Sequence, residues 1–145
     1  MSHFTKEYNR RVRSIVTEAY VFPNFKEGEL PSMKFYTENA AWDTGAERTV
    51  ISPFVAKSLG LVSIGKASVS GVGGDKDSDI YKVTIGLPDA KLYYDLLVYC
   101  IDIEDYEMLI GMDIISLSDF VITNADGKTV LSFRNPSKET IRLAD

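Results

Sequence analysis

A single Asp-Thr-Gly sequence, Asp43-Thr44-Gly45, is the part of this chain best suited to carry out chemistry. It follows the small and apolar residues Ala40-Ala41-Trp42, and an apolar stretch resumes at Thr49-Val50-Ile51. A carboxylate presented where a strand ends can act as a general acid or base. Asp and Gly are also common in turns, so this tripeptide alone indicates no more than a turn. Its interpretation therefore depends on the motifs that follow it.

Two such motifs follow in the chain. The first is glycine-rich and polar, Gly71-Val72-Gly73-Gly74 with Asp75 to Asp79, and it lies between the strand candidates Lys66 to Ser70 and Ile80 to Ile85. This composition predicts a mobile hairpin. The second is the apolar stretch Met108-Leu109-Ile110, which ends in Gly111.

The order of these three motifs resembles the retropepsin family, the aspartic proteases of retroviral type. Members combine an apolar segment before Asp-Thr-Gly-Ala, a glycine-rich flap with an aliphatic residue at its tip, and an apolar pair before Gly. The resemblance covers Ala40 to Ile115, about half of the chain. It implies a stand-alone, non-viral member, because no Gag-like or polymerase sequence accompanies it.

The resemblance implies peptide-bond hydrolysis by a pair of aspartates. Two carboxylates within about 3 Å of each other cannot both ionise cheaply, so they share one proton. The ionised carboxylate takes a proton from water, and the protonated one donates a hydrogen bond to the peptide carbonyl. This chemistry is expected to need no cofactor and no metal.

The second aspartate is expected from a second copy of the chain. Asp126-Gly127 lacks the intervening hydroxyl residue and is interpreted as a hairpin turn,. A two-lobed enzyme of the pepsin type would need a chain about twice as long. We therefore expect a homodimer with one Asp43 on each side of a two-fold axis, acting on an extended peptide or protein.

The family pattern implies a role for each matching residue. Asp43 is the catalytic acid and base, Thr44 hydrogen-bonds across the dimer axis, and Gly111 packs beneath the active-site loop. The residues expected to form and support that loop are Thr44, Gly45, Ala46, Leu109, Ile110 and Gly111. The residues expected to form the flap that closes on substrate are Gly71, Val72, Gly73 and Gly74.

The sequence departs from the retroviral pattern at two positions. Met112 stands where retroviral enzymes usually have Arg, so the ion pair that supports their dimer is missing or is rebuilt from Arg48 and Asp113. Trp42 replaces a usual aliphatic residue, and we expect it to pack in the core rather than to contact substrate.

Composition excludes several other classes of function. The net charge of −5 argues against nucleic-acid binding, and the cluster Arg10, Arg11 and Arg13 is expected to be a solvated edge or arm,. The most apolar run, Leu92 to Ile101, is far shorter than the roughly 20 residues of a membrane span, so no membrane partner is expected. One Cys and one His allow neither an intramolecular disulfide nor a His/Cys metal site, and a cytoplasmic location is expected,.

Short strand signals dominate the chain and predict an all-β domain, a mainly antiparallel closed barrel with one or two short helices. The clearest helix runs from Pro53 to Leu59, with Ser52 as N-cap and Gly60 after its end. One domain is expected over 1–145, with an N-terminal strand or extension over about 1–32 and a C-terminal hairpin and tail over about 119–145. The tail is expected to be frayed or to add a strand to a partner.

Two other interpretations of the whole sequence are open. The chain could be a catalytically silent dimerisation or peptide-binding module with the same fold, although such a module has no need of an intact Asp-Thr-Gly. It could also be an unrelated β domain in which the motif arose by chance.

Overall fold

A computed structural model gives the structure of residues 2–71 and 73–145, so Val72 lies outside the described residues. These residues contain ten strands and two short α-helices. In chain order the strands are β1 (Ser2–Glu7), β2 (Val16–Pro23), β3 (Phe35–Trp42), β4 (Val50–Ile51), β5 (Gly65–Gly71), β6 (Gly74–Gly86), β7 (Leu92–Cys100), β8 (Met108–Ile110), β9 (Asp119–Thr123) and β10 (Val130–Asn135). The helices are α1 (Pro53–Ser58) and α2 (Met112–Ile115), and a 3-10 turn covers Ala125–Gly127.

Six of the strands pair in a closed ring. The ring runs β2-β3-β8-β4-β7-β6, and β6 returns to pair with β2 from Tyr20↔Gly86 to Pro23↔Val83. The contacts β3–β8 and β4–β7 are parallel, and the others around the ring are antiparallel. Beyond the ring, β5 pairs with β6 as a long hairpin. The prediction of a mainly antiparallel β fold with one or two short helices is therefore confirmed.

A second, three-stranded sheet has the order β1-β10-β9, and both contacts in it are antiparallel. One face of this sheet packs on the ring through the aromatic rings of Phe4, Phe120 and Phe133, which lie within 5.2–6.1 Å of the Trp42 ring. Such a cluster buries a large apolar area, and each fully buried large side chain stabilises the fold by about 1.5–3 kcal/mol relative to an exposed one.

Trp42 is a core residue, as predicted. Its side chain is 8% exposed, and its indole N–H donates a hydrogen bond of 2.9 Å to Oγ1 of Thr17, which is fully buried. The one polar atom of the ring is thus satisfied inside the core. Because Trp42 is the last residue of β3, this packing fixes the point from which the chain enters the Asp43 loop.

Helix α1 begins as the sequence predicts. Ser52 has an extended conformation, and its hydroxyl accepts a bond of 3.3 Å from the amide of Val55, while Pro53 occupies the first helical position. The helix ends one residue earlier than expected, at Ser58. Gly60 follows with a φ of +60°, a left-handed conformation that favours glycine,.

Two features differ from the sequence predictions. The strand expected to begin at Ile80 begins at Gly74 instead, and the polar segment before Ile80 pairs with β5 from Gly71↔Gly74 to Gly65↔Ile80. Asp75, Lys76 and Asp77 are exposed there, whereas Ser78 is buried. Finally, the tail is not frayed at its start, because the amide of Ser137 donates to Leu117 O at 3.1 Å.

Candidate active site

Asp43 is the first residue after β3, and two strands determine its position. β3 and β8 run parallel with Trp42 opposite Ile110, and the amide of Asp43 extends this pairing by donating to Ile110 O at 2.8 Å. The loop then turns back, and the amide of Ala46 donates to Asp43 O at 3.2 Å. The Asp43 side chain is half-buried. A carboxylate anchored by two strand ends is held firmly while it stays accessible to water.

One oxygen of the Asp43 carboxylate is held by its own loop. The amide of Gly45 donates a hydrogen bond of 2.8 Å to Asp43 Oδ1. Oδ2 has no hydrogen-bond partner among the residues that the structure describes. A Cβ atom on Gly45 would lie 3.2 Å from Oδ1, closer than most real contacts. Glycine therefore lets the amide approach Oδ1 of the carboxylate.

Thr44 and Ala46 of this loop differ in exposure and in hydrogen bonding. Thr44 is exposed, and its hydroxyl makes no hydrogen bond within residues 2–71 and 73–145. Ala46 is half-buried, and its carbonyl accepts a bond of 2.7 Å from the amide of Met112 at the start of α2. The loop is thus tied to α2 at Ala46, and at Thr44 it carries an exposed hydroxyl.

Gly111 lies directly against the backbone of the same loop. A Cβ atom at Gly111 would stand 2.7 Å from Ala46 O, 2.7 Å from Arg48 C and 2.8 Å from Arg48 O. Its φ of −97° is accessible to any residue, so the need for glycine is steric,. The preceding Ile110 is fully buried, and Leu109 is half-buried.

The buried hydroxyl of Thr49 connects the strand after the Asp43 loop to the segment that begins at Gly111, and the sequence analysis did not predict this connection. Thr49 is fully buried; its amide donates to Asp113 Oδ2 and its hydroxyl to Asp113 Oδ1, both at 2.8 Å. The Thr49 hydroxyl also accepts a 3.2 Å bond from the amide of Gly111. The available signal was an Asp placed three residues after the apolar pair Leu109-Ile110, which a buried hydrogen-bond network can accommodate,.

The ion pair suggested between Arg48 and Asp113 is not formed within this chain. Both oxygens of the Asp113 carboxylate are occupied by Thr49, and Oδ1 also accepts from the amide of Ile114 at 3.0 Å. The Arg48 guanidinium instead lies 6.0 Å from the centre of the Tyr99 ring. Asp113 therefore supports the loop by hydrogen bonds rather than by an ion pair.

The glycine-rich segment forms the end of the β5–β6 hairpin. Gly71 pairs with Gly74, whose φ is +93°, and Gly73 lies in the turn between them, beside Val72, which is outside the described residues. No hydrogen bond connects these three glycines to the Asp43 loop in the described part of the chain. The hairpin is a separate arm, attached to the ring through β6.

Polar pairs stabilise the two strands of this arm. Ser70 donates to Asp75 at 2.7 Å, and Lys66 forms an ion pair of 2.9 Å with Asp79. The hydrogen bond from Lys66 lowers the pKa of Asp79, and the same bond raises the pKa of Lys66. The Lys66 side chain is largely exposed and the Asp79 side chain is 36% exposed, so the pair fixes geometry more than it adds stability,.

A cavity of about 500 Å³ lies between α1 and the base of the hairpin, and Leu61, Tyr81 and Cys100 are among its lining residues. Burial raises the pKa of the Cys100 thiol, which disfavours the reactive thiolate,. Cys100 is thus a packing residue, and Asp43 remains the candidate for catalysis.

No cluster of His, Cys, Asp or Glu among residues 2–71 and 73–145 could hold a metal ion.

No protein-family model and no curated protein matches the sequence. Solved structures do match the fold. The EIAV protease complexed with the inhibitor HBY-793 is 20% identical, with a TM-score of 0.51, over 75% of this chain and 90% of that chain. A retropepsin-like aspartic protease from Rickettsia conorii is 17% identical, with a TM-score of 0.49, over 90% of this chain and 93% of that chain.

This chain has the retropepsin-like fold. The Simian Foamy Virus (mac) protease is a further match, 20% identical with a TM-score of 0.45, over 70% of this chain and 92% of that chain. The resemblance drawn from the three sequence motifs is thereby confirmed at the level of fold. Within the retropepsin-like fold of this chain, Asp43, Gly45 and Gly111 lie together, and the glycine-rich hairpin forms a distinct arm.

No helix among the described residues is both long and apolar enough to cross a membrane.

Proposed function

We propose that this chain is a homodimeric aspartic endopeptidase in which water is activated between two Asp43 carboxylates. The observation that carries the proposal is the Asp43 carboxylate itself. It is half-buried at the end of a strand, with Oδ1 held by the Gly45 amide and Oδ2 without a partner among the described residues. A carboxylate in a merely structural turn would be expected to use both oxygens or to face solvent fully.

The proposed reaction begins with one proton shared by the pair. The ionised Asp43 takes a proton from a water molecule, whose oxygen attacks the peptide carbonyl carbon. The protonated Asp43 of the other copy gives its proton to the carbonyl oxygen, and a tetrahedral intermediate forms. When the carbon–nitrogen bond breaks, the amine leaves with a proton from the dyad, and a hydroxyl of the intermediate returns its proton to the dyad as that oxygen becomes the carbonyl of the acid product. Both carboxylates then again share a single proton.

The remaining features of the chain fit this scheme. We propose that the exposed Thr44 hydroxyl bonds to the partner copy, since it has no bond within the described chain. The glycine-rich hairpin, Gly71 to Gly74, would close over an extended peptide that pairs through its main chain. We further propose a cytoplasmic setting, with neither nucleic acid nor membrane as a partner, consistent with the net charge of −5.

The test is the nearly isosteric variant Asp43→Asn, with Asp126→Asn as its matched control. Asp126 also precedes a glycine, but it lies in the exposed turn before β10, where its φ of 55° suits Asn equally well,. Cleavage of an unstructured protein and of a quenched peptide is measured beside circular dichroism. We expect Asp43→Asn to abolish cleavage with an unchanged spectrum, and Asp126→Asn to cleave normally.

Undiminished turnover by Asp43→Asn would refute the proposed chemistry. A folded, dimeric wild-type chain that binds peptides but cleaves none of them would indicate the silent binding module instead. Each result distinguishes the two functions, because only hydrolysis needs the ionisable group at this position.

A further inference from the structure

Arg48 is a charged residue beside the Asp43 loop that the proposed chemistry does not use. It is exposed, and among residues 2–71 and 73–145 its guanidinium forms no ion pair, not even with the neighbouring Glu47. Asp113, the partner that the sequence suggested, is occupied by Thr49. A guanidinium presents its N–H donors as a planar fork that matches a carboxylate. Arg48 therefore offers a ligand a complete set of donors.

The position of Arg48 is set by Tyr99 of β7. The guanidinium lies 6.0 Å from the centre of the Tyr99 ring, a contact that orients a cation against an aromatic face,. Tyr99 pairs with Val50 of β4 on one side and with Ile80 of β6 on the other. β4 continues the Asp43 loop, and β6 carries the glycine-rich hairpin. Arg48 therefore lies where that loop meets the base of the hairpin, the place at which the proposed function puts a peptide.

The carboxylates of the hairpin lie on the opposite face of the sheet from Arg48. Successive side chains of a strand point to opposite faces, so alternate residues of β6 share one face. The carboxylates on that face are Asp75, Asp77 and Asp79. The last two line the cavity beside α1, together with Cys100 of β7. Because Tyr99 directly precedes Cys100, the Tyr99 ring and Arg48 lie on the other face, away from these negative charges.

The face that Tyr99 shares carries a second cation, on the hairpin itself. The residues of β5 and β6 on this face are Ala67, Val69, Lys76, Ser78 and Ile80. Cε of Lys76 lies 3.9 Å from the position that a Cβ atom on Gly73 would take, so this side chain extends toward the hairpin end. Lys76 has no ion-pair partner in the described part of the chain. One unpaired cation beside the Asp43 loop and one on the hairpin thus border the same, mostly apolar face.

We propose that Arg48, together with Lys76, forms a subsite for an acidic side chain, so that this chain prefers peptides with Asp or Glu near the scissile bond. The inference deepens the proposed function and rests on it, because a scissile bond exists only if the Asp43 pair cleaves. Arg48 would bind the carboxylate through two parallel hydrogen bonds, and Lys76 would add its charge when the hairpin closes. Closure excludes water from this face, which strengthens the attraction between unlike charges.

The first test measures the charge preference of the wild type with quenched peptides. In a neutral peptide that the chain cleaves, each of the three positions on either side of the scissile bond is set in turn to Glu, Gln or Lys. We expect kcat/KM for the Glu peptide to exceed that for the Lys peptide by about tenfold or more at one or two positions. The ratio compares two peptides on the same enzyme, so it does not depend on the fraction of folded dimer. Added salt should reduce it.

The second test reverses the charge of the subsite. Arg48→Glu should bring the Glu-to-Lys ratio below one at those same positions, and Lys76→Gln should lower it by about two- to fivefold. The matched control is Arg142→Glu, which makes the same change on the exposed tail and should leave both the ratio and kcat as in the wild type. Binding of the same peptides, labelled with a fluorophore, to the Asp43→Asn variant should show the same preference in Kd.

The outcomes separate the acidic subsite from the proposed function. If the wild type cleaves the Glu and Lys peptides equally well at every position, or if Arg142→Glu changes the ratio as much as Arg48→Glu does, the acidic subsite is wrong and the enzyme proposal stands. If no peptide is cleaved, but the Glu peptide binds more tightly and Arg48→Glu removes that preference, the acidic subsite stands and the enzyme proposal fails. If there is neither cleavage nor a preference in binding, both are wrong.

Discussion

Replacing Gly111 by Ala is the sharpest perturbation of the candidate active site. The new methyl carbon would stand 2.7 Å from Ala46 O and 2.8 Å from Arg48 O, while ordinary contacts begin at 3.4 Å. The loop backbone must therefore withdraw by about 0.7 Å at both Ala46 and Arg48, because Arg48 C also lies 2.7 Å from the new carbon,. Neither atom belongs to a flexible side chain, so no rotamer change can relieve the overlap.

The cost follows from two terms. Overpacking of a tightly packed site costs about 1–3 kcal/mol. Moving Ala46 O also weakens the 2.7 Å bond that it accepts from Met112, and a typical bond of this kind contributes about 1 kcal/mol,. We expect Gly111→Ala to lower the free energy of unfolding by about 2–4 kcal/mol. At about 4 °C per kcal/mol for a domain of this size, Tm falls by about 8–16 °C.

Activity should fall as well, because the displaced loop carries Asp43. A shift approaching 1 Å at a catalytic group can cost about 100-fold in rate. We therefore expect kcat to drop by roughly 10- to 100-fold in a peptide-cleavage assay below the Tm of the variant. The matched control is Gly65→Ala in β5, where the nearest atom to the new Cβ is Ile80 Cδ1 at 3.9 Å. Equal Tm and kcat for Gly111→Ala and wild type would refute the assignment of Gly111 to the floor of the loop.

Three further predictions concern the hydrogen-bond network of Thr49 and Asp113, the Asp119 carboxylate that holds the tail, and the proposed Asp43 pair. Thr49→Val should destabilise the chain by about 1–3 kcal/mol in urea unfolding, since it leaves the Asp113 carboxylate short of its buried donor; an unchanged midpoint would contradict this. The Ser137 hydroxyl, then the Lys138 amide and Arg134, hold the pKa of Asp119 well below its usual range. Asp119 therefore contributes stability above its unfolded pKa of about 3.9, and this is lost as the pH falls through the lower folded pKa. Asp119→Asn should lower Tm at neutral pH, and the difference in Tm between variant and wild type should become smaller below about pH 4. A Tm difference that increased in acid would contradict the stabilising role of the ionised Asp119 carboxylate. The rate of peptide cleavage should follow a bell-shaped pH curve with an optimum between mildly acidic and near neutral, because the Asp43 pair works only when singly ionised. A cleavage rate that still rose past about pH 9 would contradict the shared-proton mechanism.

The local features of the fold could be predicted from the sequence. Ser52-Pro53 specified the start of α1, because an N-cap and a first-turn proline act within four residues,. The Asp43 motif and Gly111 could be paired in advance because their order along the chain matches a known pattern. The steric reason for Gly111 needed the structure, since it depends on the backbone of Arg48 across the loop.

Features that depend on distant contacts could not be predicted. The ring closes through β2 and β6, where Val21 meets Ile85, and no local signal specifies such a partner,. The polar run before Ile80 has the composition of a loop, yet pairing with β5 makes it a strand, so tertiary context overrides propensity,. The anchoring of the tail depends on Asp119, which precedes Lys138 by 19 residues.

The route from the core to the Asp43 carboxylate is short. Trp42 fixes the end of β3, Asp43 follows it, and the loop rests on Gly111 next to the start of α2. Each protomer of the proposed dimer therefore carries its carboxylate on a loop that its own core holds. Positioning of the two carboxylates then depends mainly on how the two copies meet. Weakening the proposed contact by Thr44→Val should produce fewer dimers with normal kcat, rather than the same number of dimers with misaligned aspartates. Titrating the active dimer with a tight-binding inhibitor distinguishes these two outcomes, and a lowered kcat per active dimer in Thr44→Val would show that the loop is not held by its own core.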